Sequence, residues 1–119
     1  MMNYNISVGN ASDIGTIARF QVDMALESEG TELDMSLVVK GVTAAVEDEY
    51  KGTYLVARTD EGKAIGSLLL TREWSDWTNR WYWWIQSVFV TKEYRGKGVY
   101  RAMYDKVKSL AKESNITQI

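Results

Sequence analysis

The sequence predicts an α/β fold of the α+β kind, a mixed sheet with helices on its faces, in the order β-α-α-β-β-β-α-β. Three observations lead there. Short runs rich in β-branched and aromatic residues recur along the chain, and three longer stretches carry apolar residues at helical spacing. Between Trp81 and Lys112, a strand, a turn rich in glycine and positive charge, and an amphipathic helix follow one another without a break. A helix that crosses over from a strand implies a parallel neighbour, which makes the sheet mixed.

In chain order, Tyr4 to Val8 reads as a short first strand. Ser12 or Asp13 can cap the helix that follows, whose stripe is Ile14, Ile17, Ala18, Gln21 and Ala25, with Phe20 and Met24 beside it. Glu27 to Glu32 reads as an acidic loop centred on Gly30. Asp34 caps a second helix with Met35, Val38, Val42, Ala45 and Val46 on its buried side, and Lys51-Gly52 ends it. Thr53 to Arg58 and Ala64 to Arg72 form two strands joined by the turn Asp60-Glu61-Gly62-Lys63. Glu73 to Asn79 is a polar loop carrying Trp74 and Trp77, and Trp81 to Val90 is the long aromatic strand. After the turn, Val99, Met103, Val107, Leu110 and Ala111 share one helix face, and Ile116 to Ile119 opens a last strand expected beside the aromatic one.

Composition narrows the chemistry. The chain has 119 residues, enough for a single domain over 1–119 with a substantial core. Hydrophobic residues make up 45% and charged ones 25%, as in ordinary globular proteins. A net charge of −2 gives no overall basic field for nucleic acid, so an anion site must be local. Histidine and cysteine are both absent, which removes imidazole catalysis, thiolate nucleophiles, structural zinc and disulfides. We expect no metal, no membrane span and no signal peptide, and a cytoplasmic location compatible with a disulfide-free chain.

The turn Arg95-Gly96-Lys97-Gly98 is where a ligand is expected. Backbone N–H groups at a helix start, glycines that let a ligand come close, and nearby cations together suit a phosphate. N–H groups from Gly96 to Tyr100 can face one concavity, with Arg95, Lys97 and Arg101 supplying charge. The alternative is a plain tight turn with solvated cations. Two other phosphate motifs fail on spacing: Lys97 is followed by Gly98 rather than Ser or Thr, and Arg101 stands where a dinucleotide fingerprint has its third glycine.

Gln86-Ser87-Val88-Phe89-Val90, followed by Tyr94-Arg95-Gly96-Lys97-Gly98-Val99-Tyr100, resembles the acetyl-CoA signature of the GNAT family of N-acetyltransferases. That signature is an Arg/Gln-x-x-Gly-x-Gly/Ala loop between the fourth strand and third helix of a fold with this element order. The resemblance covers most of the chain and departs at Tyr100, where the family usually has Gly or Ala. It implies a GNAT-like fold and acetyl-CoA as cosubstrate. It also implies that backbone groups near Val88 and Val90 hold the pantetheine arm, that Val88, Phe89, Val90 and Tyr94 to Arg101 form the binding stretch, and that an amine attacks the thioester directly.

An amine acceptor must lose a proton, commonly to a glutamate acting through water. The family often places that glutamate where Gln86 stands, and an amide cannot take a proton. Gln86 can position a water or the substrate, or it is simply satisfied inside the sheet. Glu27, Glu29 and Glu32 lie where the family borders its acceptor site; they are candidate cation contacts or bases, or a solvated acidic loop. Of these Glu29 is taken with Gln86 as the catalytic pair. Tyr94, Tyr100 and Tyr104 lie in the right region for a proton donor, or pack beside the cofactor.

With strict alternation, Trp81, Trp83, Ile85 and Phe89 share one strand face, and Tyr82, Trp84, Gln86 and Val88 the other. Both faces are then covered, and Trp74 and Trp77 remain for a substrate wall, a partner contact or a cation–π site. Ending at Ile119, the sequence leaves the family's last helix and closing hairpin without counterparts. Three explanations are a truncated product, a swapped or homodimeric arrangement that completes the sheet, and a minimal domain without turnover. The function expected is acetyl-CoA-dependent N-acetyl transfer to a primary amine of a small molecule or peptide. Its alternative is a non-catalytic CoA-binding or structural remnant.

Overall fold

The computed structural model describes residues 3–116 and 118–119. Its strands are β1 (Asn5–Val8), β2 (Thr53–Arg58), β3 (Ala64–Ser75) and β4 (Arg80–Val90), and its helices are α1 (Ile14–Glu29), α2 (Met35–Glu47) and α3 (Val99–Glu113). The strands form one four-stranded sheet in the order β1-β2-β3-β4, each pair antiparallel. Short connections explain most of the order, because β3 and β4 each follow their neighbour through a turn, while β2 returns beside β1 after the two helices. The expected strand at the end of the chain is not formed among the described residues, and Thr117 lies outside them. Even so, the backbone N–H of Trp83 donates to the Gln118 carbonyl at 3.0 Å, so the segment after α3 does run beside β4.

Each helix start has a local cause. Asn10 and Asp13 make a reciprocal capping box around a 3₁₀ turn that leads into α1, so the capping side chain is Asn10 rather than Ser12 or Asp13. Asp34 caps α2 as expected, accepting from the Ser36 N–H at 3.0 Å, and the hydrogen bonds from Ser36 hold its carboxyl below the usual range. Glu27 and Glu29 belong to α1 and not to a loop. The helix runs on to Gly30, whose left-handed backbone (φ 64°) turns the chain while its N–H and that of Thr31 bond back to Leu26 and Ala25.

The sheet separates two apolar clusters. On one side α3 lays Val99, Met103, Val107 and Ala111 over Leu55, Ala57, Ile65, Leu68, Leu70 and Trp83. On the other side Ile17 and Ala18 of α1 and Val42 and Ala45 of α2 close over Tyr54 and Val56. Gly66 sits under α3 for a steric reason: a Cβ there would come within 3.0 Å of the Phe89 carbonyl oxygen and 3.3 Å of Val99. Asp13 and Arg58 tie the start of α1 to the end of β2 through a mostly buried ion pair at 2.6 Å.

The β3–β4 hairpin corrects two expectations. β3 runs through Glu73 and Trp74 to Ser75, pairing Trp74 with Trp81, so Trp74 is a strand residue and only Asp76 to Asn79 make the turn. Stacking of Trp74 edge-on against Trp81, with ring centroids 5.3 Å apart, keeps the ladder going past the polar stretch. Secondly, β4 carries a bulge. Ser67 pairs with Phe89 but Leu69 pairs with Gln86, and Ser87 at the irregularity has φ 53°. The extra residue inverts the alternation. Trp83 and Ile85 pack with α3 as expected, but Phe89 emerges on the opposite face, against Phe20 of α1 at 5.1 Å, and Val90 takes its place on the α3 side.

Candidate active site

The loop between β4 and α3 is built by its glycines. Gly96 and Gly98 have φ values of 74° and 85°, the left-handed region in which an L side chain is strained. These two reversals bring the chain from a 3₁₀ turn, Lys92–Tyr94, to the start of α3 at Val99. Among the described residues no side chain caps that helix. The Ala102 N–H bonds to the Gly98 carbonyl, which leaves the earlier N–H groups of the helix without intrahelical acceptors and at its positive end.

A shallow cavity of about 390 Å³ opens there, lined by Val90, Tyr94, Arg95, Gly96, Gly98, Val99, Tyr100 and Arg101. Two arginines and no carboxylate line it, so its electrostatics suit an anion. The side chain of Val99 is buried in the core, which leaves only its backbone N–H for a ligand. Tyr100 is half exposed and stacks on Tyr104 with centroids 6.1 Å apart, so its ring lies along α3 and the cradle stays open. Lys97 sits with Nζ 5.7 Å from the centre of the Tyr94 ring, and its carbonyl accepts from the Tyr4 hydroxyl at 2.8 Å. Arg101 reaches back to Asp105 at 3.6 Å on the exposed side of α3.

Arg95 is used structurally. Its Nε donates to the Val90 carbonyl at 2.8 Å, and its other end meets Glu27 of α1 at 2.6 Å. The guanidinium also lies 5.5 Å from the centre of the Phe89 ring. In this way the end of β4, the loop and α1 are held together beside the bulge. Trp83 and Val90 have partners on the edge of β4 away from β3, and Val88, two positions from Val90, is half exposed.

The catalytic candidates are not brought together. Gln86 is exposed on the α1–α2 side of the sheet, and its Nε2 donates to Thr71 Oγ1 at 2.5 Å, which leaves Oε1. Glu29 is the last residue of α1 and exposed, with no hydrogen bond or ion pair among the described residues. Two positions along a helix turn a side chain by about 200°, so Glu29 points away from the side on which Glu27 reaches Arg95. Sequence reasoning passed over Glu73, which it had placed in a loop. On β3 it accepts from the Trp84 indole N–H at 2.8 Å, on the same face as Gln86. Its signal was the alternation Leu69, Thr71, Glu73, which continues the strand.

A larger groove of about 960 Å³ lies at the other end of the sheet, where Arg72, Trp81 and Trp83 of the hairpin meet Glu49 and Tyr50 after α2 and Leu110 of α3. Among the described residues no group of three or more His, Cys, Asp or Glu side chains could hold a metal ion, and no helix is long and apolar enough to cross a membrane.

The comparisons agree with this geometry. The family model for the acetyltransferase (GNAT) family matches residues 22–119. Among solved structures, a possible acetyltransferase from Clostridium difficile 630 is 39% identical, with a TM-score of 0.88 over 99% of this chain and 77% of its own. Two more distant ones share the fold. The ribosomal-protein-alanine N-acetyltransferase of Brucella melitensis biovar Abortus 2308 is 18% identical, with a TM-score of 0.78 over 98% of this chain and 77% of that one. A predicted acetyltransferase from Clostridium acetobutylicum, crystallised with acetyl-CoA, is 21% identical, with a TM-score of 0.75 over 100% of this chain and 79% of that one. No curated protein matches the sequence. A bulged fourth strand, a glycine turn into an uncapped helix, and a family match over most of the chain agree: the protein belongs to the GNAT family of acetyltransferases.

Proposed function

We propose that the protein is an acetyl-CoA-dependent N-acetyltransferase that moves an acetyl group to a primary amine of a small molecule or peptide. One observation carries the reading: the uncapped N-terminus of α3, reached through two left-handed glycines, opens beside a β4 strand bulged at Ser87. Acetyl-CoA would supply the activated acyl group as a thioester. The residues present fit it, since the cavity at the loop offers N–H donors and two arginines, whose carboxylate partners Glu27 and Asp105 are not among its lining residues.

In this reading N–H groups from Gly96 to Arg101 hold the pyrophosphate. The outer backbone groups of Val88 and the N–H of Val90 receive the pantetheine arm as an added strand, the Val90 carbonyl being engaged by Arg95. A backbone N–H at the bulge would stabilise negative charge on the carbonyl oxygen while the amine attacks. Phe89 and Tyr94 wall the stretch, Phe89 braced by Phe20 from below. Gln86 orients a water or the amine through its remaining Oε1, and Glu29 is the carboxylate this reading offers as base. Nucleic acid and membranes are not partners in this proposal. A homodimer that completes the sheet is part of it, as is a cytoplasmic location.

A second reading, CoA binding without turnover, is favoured by one observation: the amide of Gln86 is tied to Thr71 and cannot accept a proton. Two measurements separate these. Acetyl-CoA should raise the melting temperature, and free thiol should appear only when an amine is added. Binding without thiol release would select the second reading, and no melting shift at millimolar acetyl-CoA or CoA would remove both.

A further inference from the structure

The hairpin face that carries Gln86 holds a small polar array outside the helical cover. Past Leu69, which packs under the helix pair, this face presents Thr71, Glu73 and Ser75 from β3 and Arg80, Tyr82, Trp84 and Gln86 from β4, with the cation Arg80 diagonal to Glu73 at the hairpin end. Two diagonal hydrogen bonds link the strands, Gln86 to Thr71 at 2.5 Å and Trp84 to Glu73 at 2.8 Å. Trp84 is 51% exposed despite its size, and Glu73 is exposed too. No ion pair involving Glu73 forms among the described residues. Arg72 does not neutralise it, because alternation sends that guanidinium to the other face, over Trp83 at 5.3 Å and onto the Glu49 carbonyl at 3.0 Å.

A carboxylate oriented by an indole N–H, with the face of that indole open beside it, is a chemically specific arrangement for a cation. The carboxylate supplies charge and a hydrogen-bond acceptor, and the ring supplies a cation–π surface. Its place along β4 gives a distance. Trp84 precedes Val88 by four residues, about 13 Å along an extended strand, and the bulge and the reach of the side chains reduce this to about 10 Å.

We infer that Glu73 and Trp84 bind a second cationic group of the acceptor, so that the preferred substrate is a diamine-like molecule with its two ammonium groups about 10 Å apart. This rests on the proposed transfer at Val88 and deepens it by naming the substrate class. Glu73 holds the end of the acceptor that does not react, and the other amine is thereby delivered to the bulge. It is a specificity residue, not the base.

The test uses diaminooctane, octylamine and octanol as probes. The indole N–H resonance of Trp84, assigned with Trp84→Phe, should move on titration with either amine and stay still with octanol. Glu73→Gln should abolish the response. With acetyl-CoA present, the KM for diaminooctane should lie about tenfold below that for octylamine, a difference of about 1.4 kcal/mol. Glu73→Gln should raise the diamine value to the monoamine value and leave the KM for acetyl-CoA unchanged. An indole response to octanol, a response that survives Glu73→Gln, or equal KM values for the two amines would each overturn the inference. If no amine releases thiol while the Glu73-dependent response persists, the transferase reading fails and the cation site stands.

Discussion

Arg95 and Glu27 are 68 positions apart and meet at 2.6 Å, with the guanidinium also holding the Val90 carbonyl. The ion pair joins α1 to the turn that precedes α3. Both side chains are 42% exposed, so the pair adds little to global stability, on the order of 0.5 kcal/mol. Its use is to fix where the loop starts. Glu27→Gln should therefore shift the urea midpoint only slightly while weakening acetyl-CoA binding severalfold. A large stability loss with unchanged binding would reverse that assignment.

Asp13 offers the opposite case. Burial acts to raise its pKa, but the hydrogen bond from Arg58, the Asn10 N–H and the Arg58 charge together outweigh this and leave it lowered. A lowered folded-state pKa stabilises the fold above the unfolded value and loses that contribution as pH falls through the folded value. Asp13→Asn should cost about 3 kcal/mol at neutral pH, because it leaves a partly buried guanidinium without its charge partner. The variant should also show a flatter acid limb in melting temperature against pH.

Gly98 tests the cradle. Its φ of 85° makes any side chain strained by about 1–2 kcal/mol, yet no atom lies within 4 Å of the position a Cβ would take. Gly98→Glu should fold with that modest loss and bind neither acetyl-CoA nor CoA, as read by calorimetry. Unchanged affinity would sink the loop assignment.

Ser87 tests the bulge. A serine at φ 53° tolerates replacement by glycine, which accepts the backbone and gives back part of the gain in unfolded-state entropy. Ser87→Gly should stay within about 0.5 kcal/mol of the parent. Ser87→Val should cost about 1–2 kcal/mol, since a β-branched residue resists this conformation, and should impair acetyl-CoA binding more than Ser87→Gly does.

Ser67 is fully buried beside the bulge, and its hydroxyl has no hydrogen-bond partner among the described residues. Burying an unpaired hydroxyl costs about 1–3 kcal/mol, so Ser67→Ala should be neutral or should raise the melting temperature. A clear loss of stability would mean that the hydroxyl has a bonding partner in solution, such as a water.

Local signals were legible where one residue type decides one conformation. Asp34 announced α2, and Gly96 and Gly98 announced the loop, because neither reading depends on what packs nearby. The faces of β4 were half legible: alternation placed Trp83 and Ile85 correctly and failed at Phe89. A bulge has no composition signal here, since Ser87 is not a glycine, and it is selected by pairing with β3 and by the seat Phe20 provides. Trp74 was assigned to a loop because its neighbours are polar, and only its cross-strand partner Trp81 reveals the strand. The candidate site followed the same division. The half proposed to bind the anion is written in one continuous stretch, and the half proposed to hold the acceptor draws on residues from separate elements.

All five tryptophans, at positions 74, 77, 81, 83 and 84, belong to the hairpin of β3 and β4. Their burial ranges from Trp83 at 6% exposure to Trp77 at 94%. Intrinsic fluorescence is therefore a local reporter with built-in contrast: the emission of Trp83 follows docking of α3, and that of Trp77 gives a fixed solvent baseline. The helix pair α1–α2 contributes no indole and stays dark in such a record. An unfolding curve taken by fluorescence alone would register the hairpin and miss an early departure of those helices, which far-ultraviolet circular dichroism would detect.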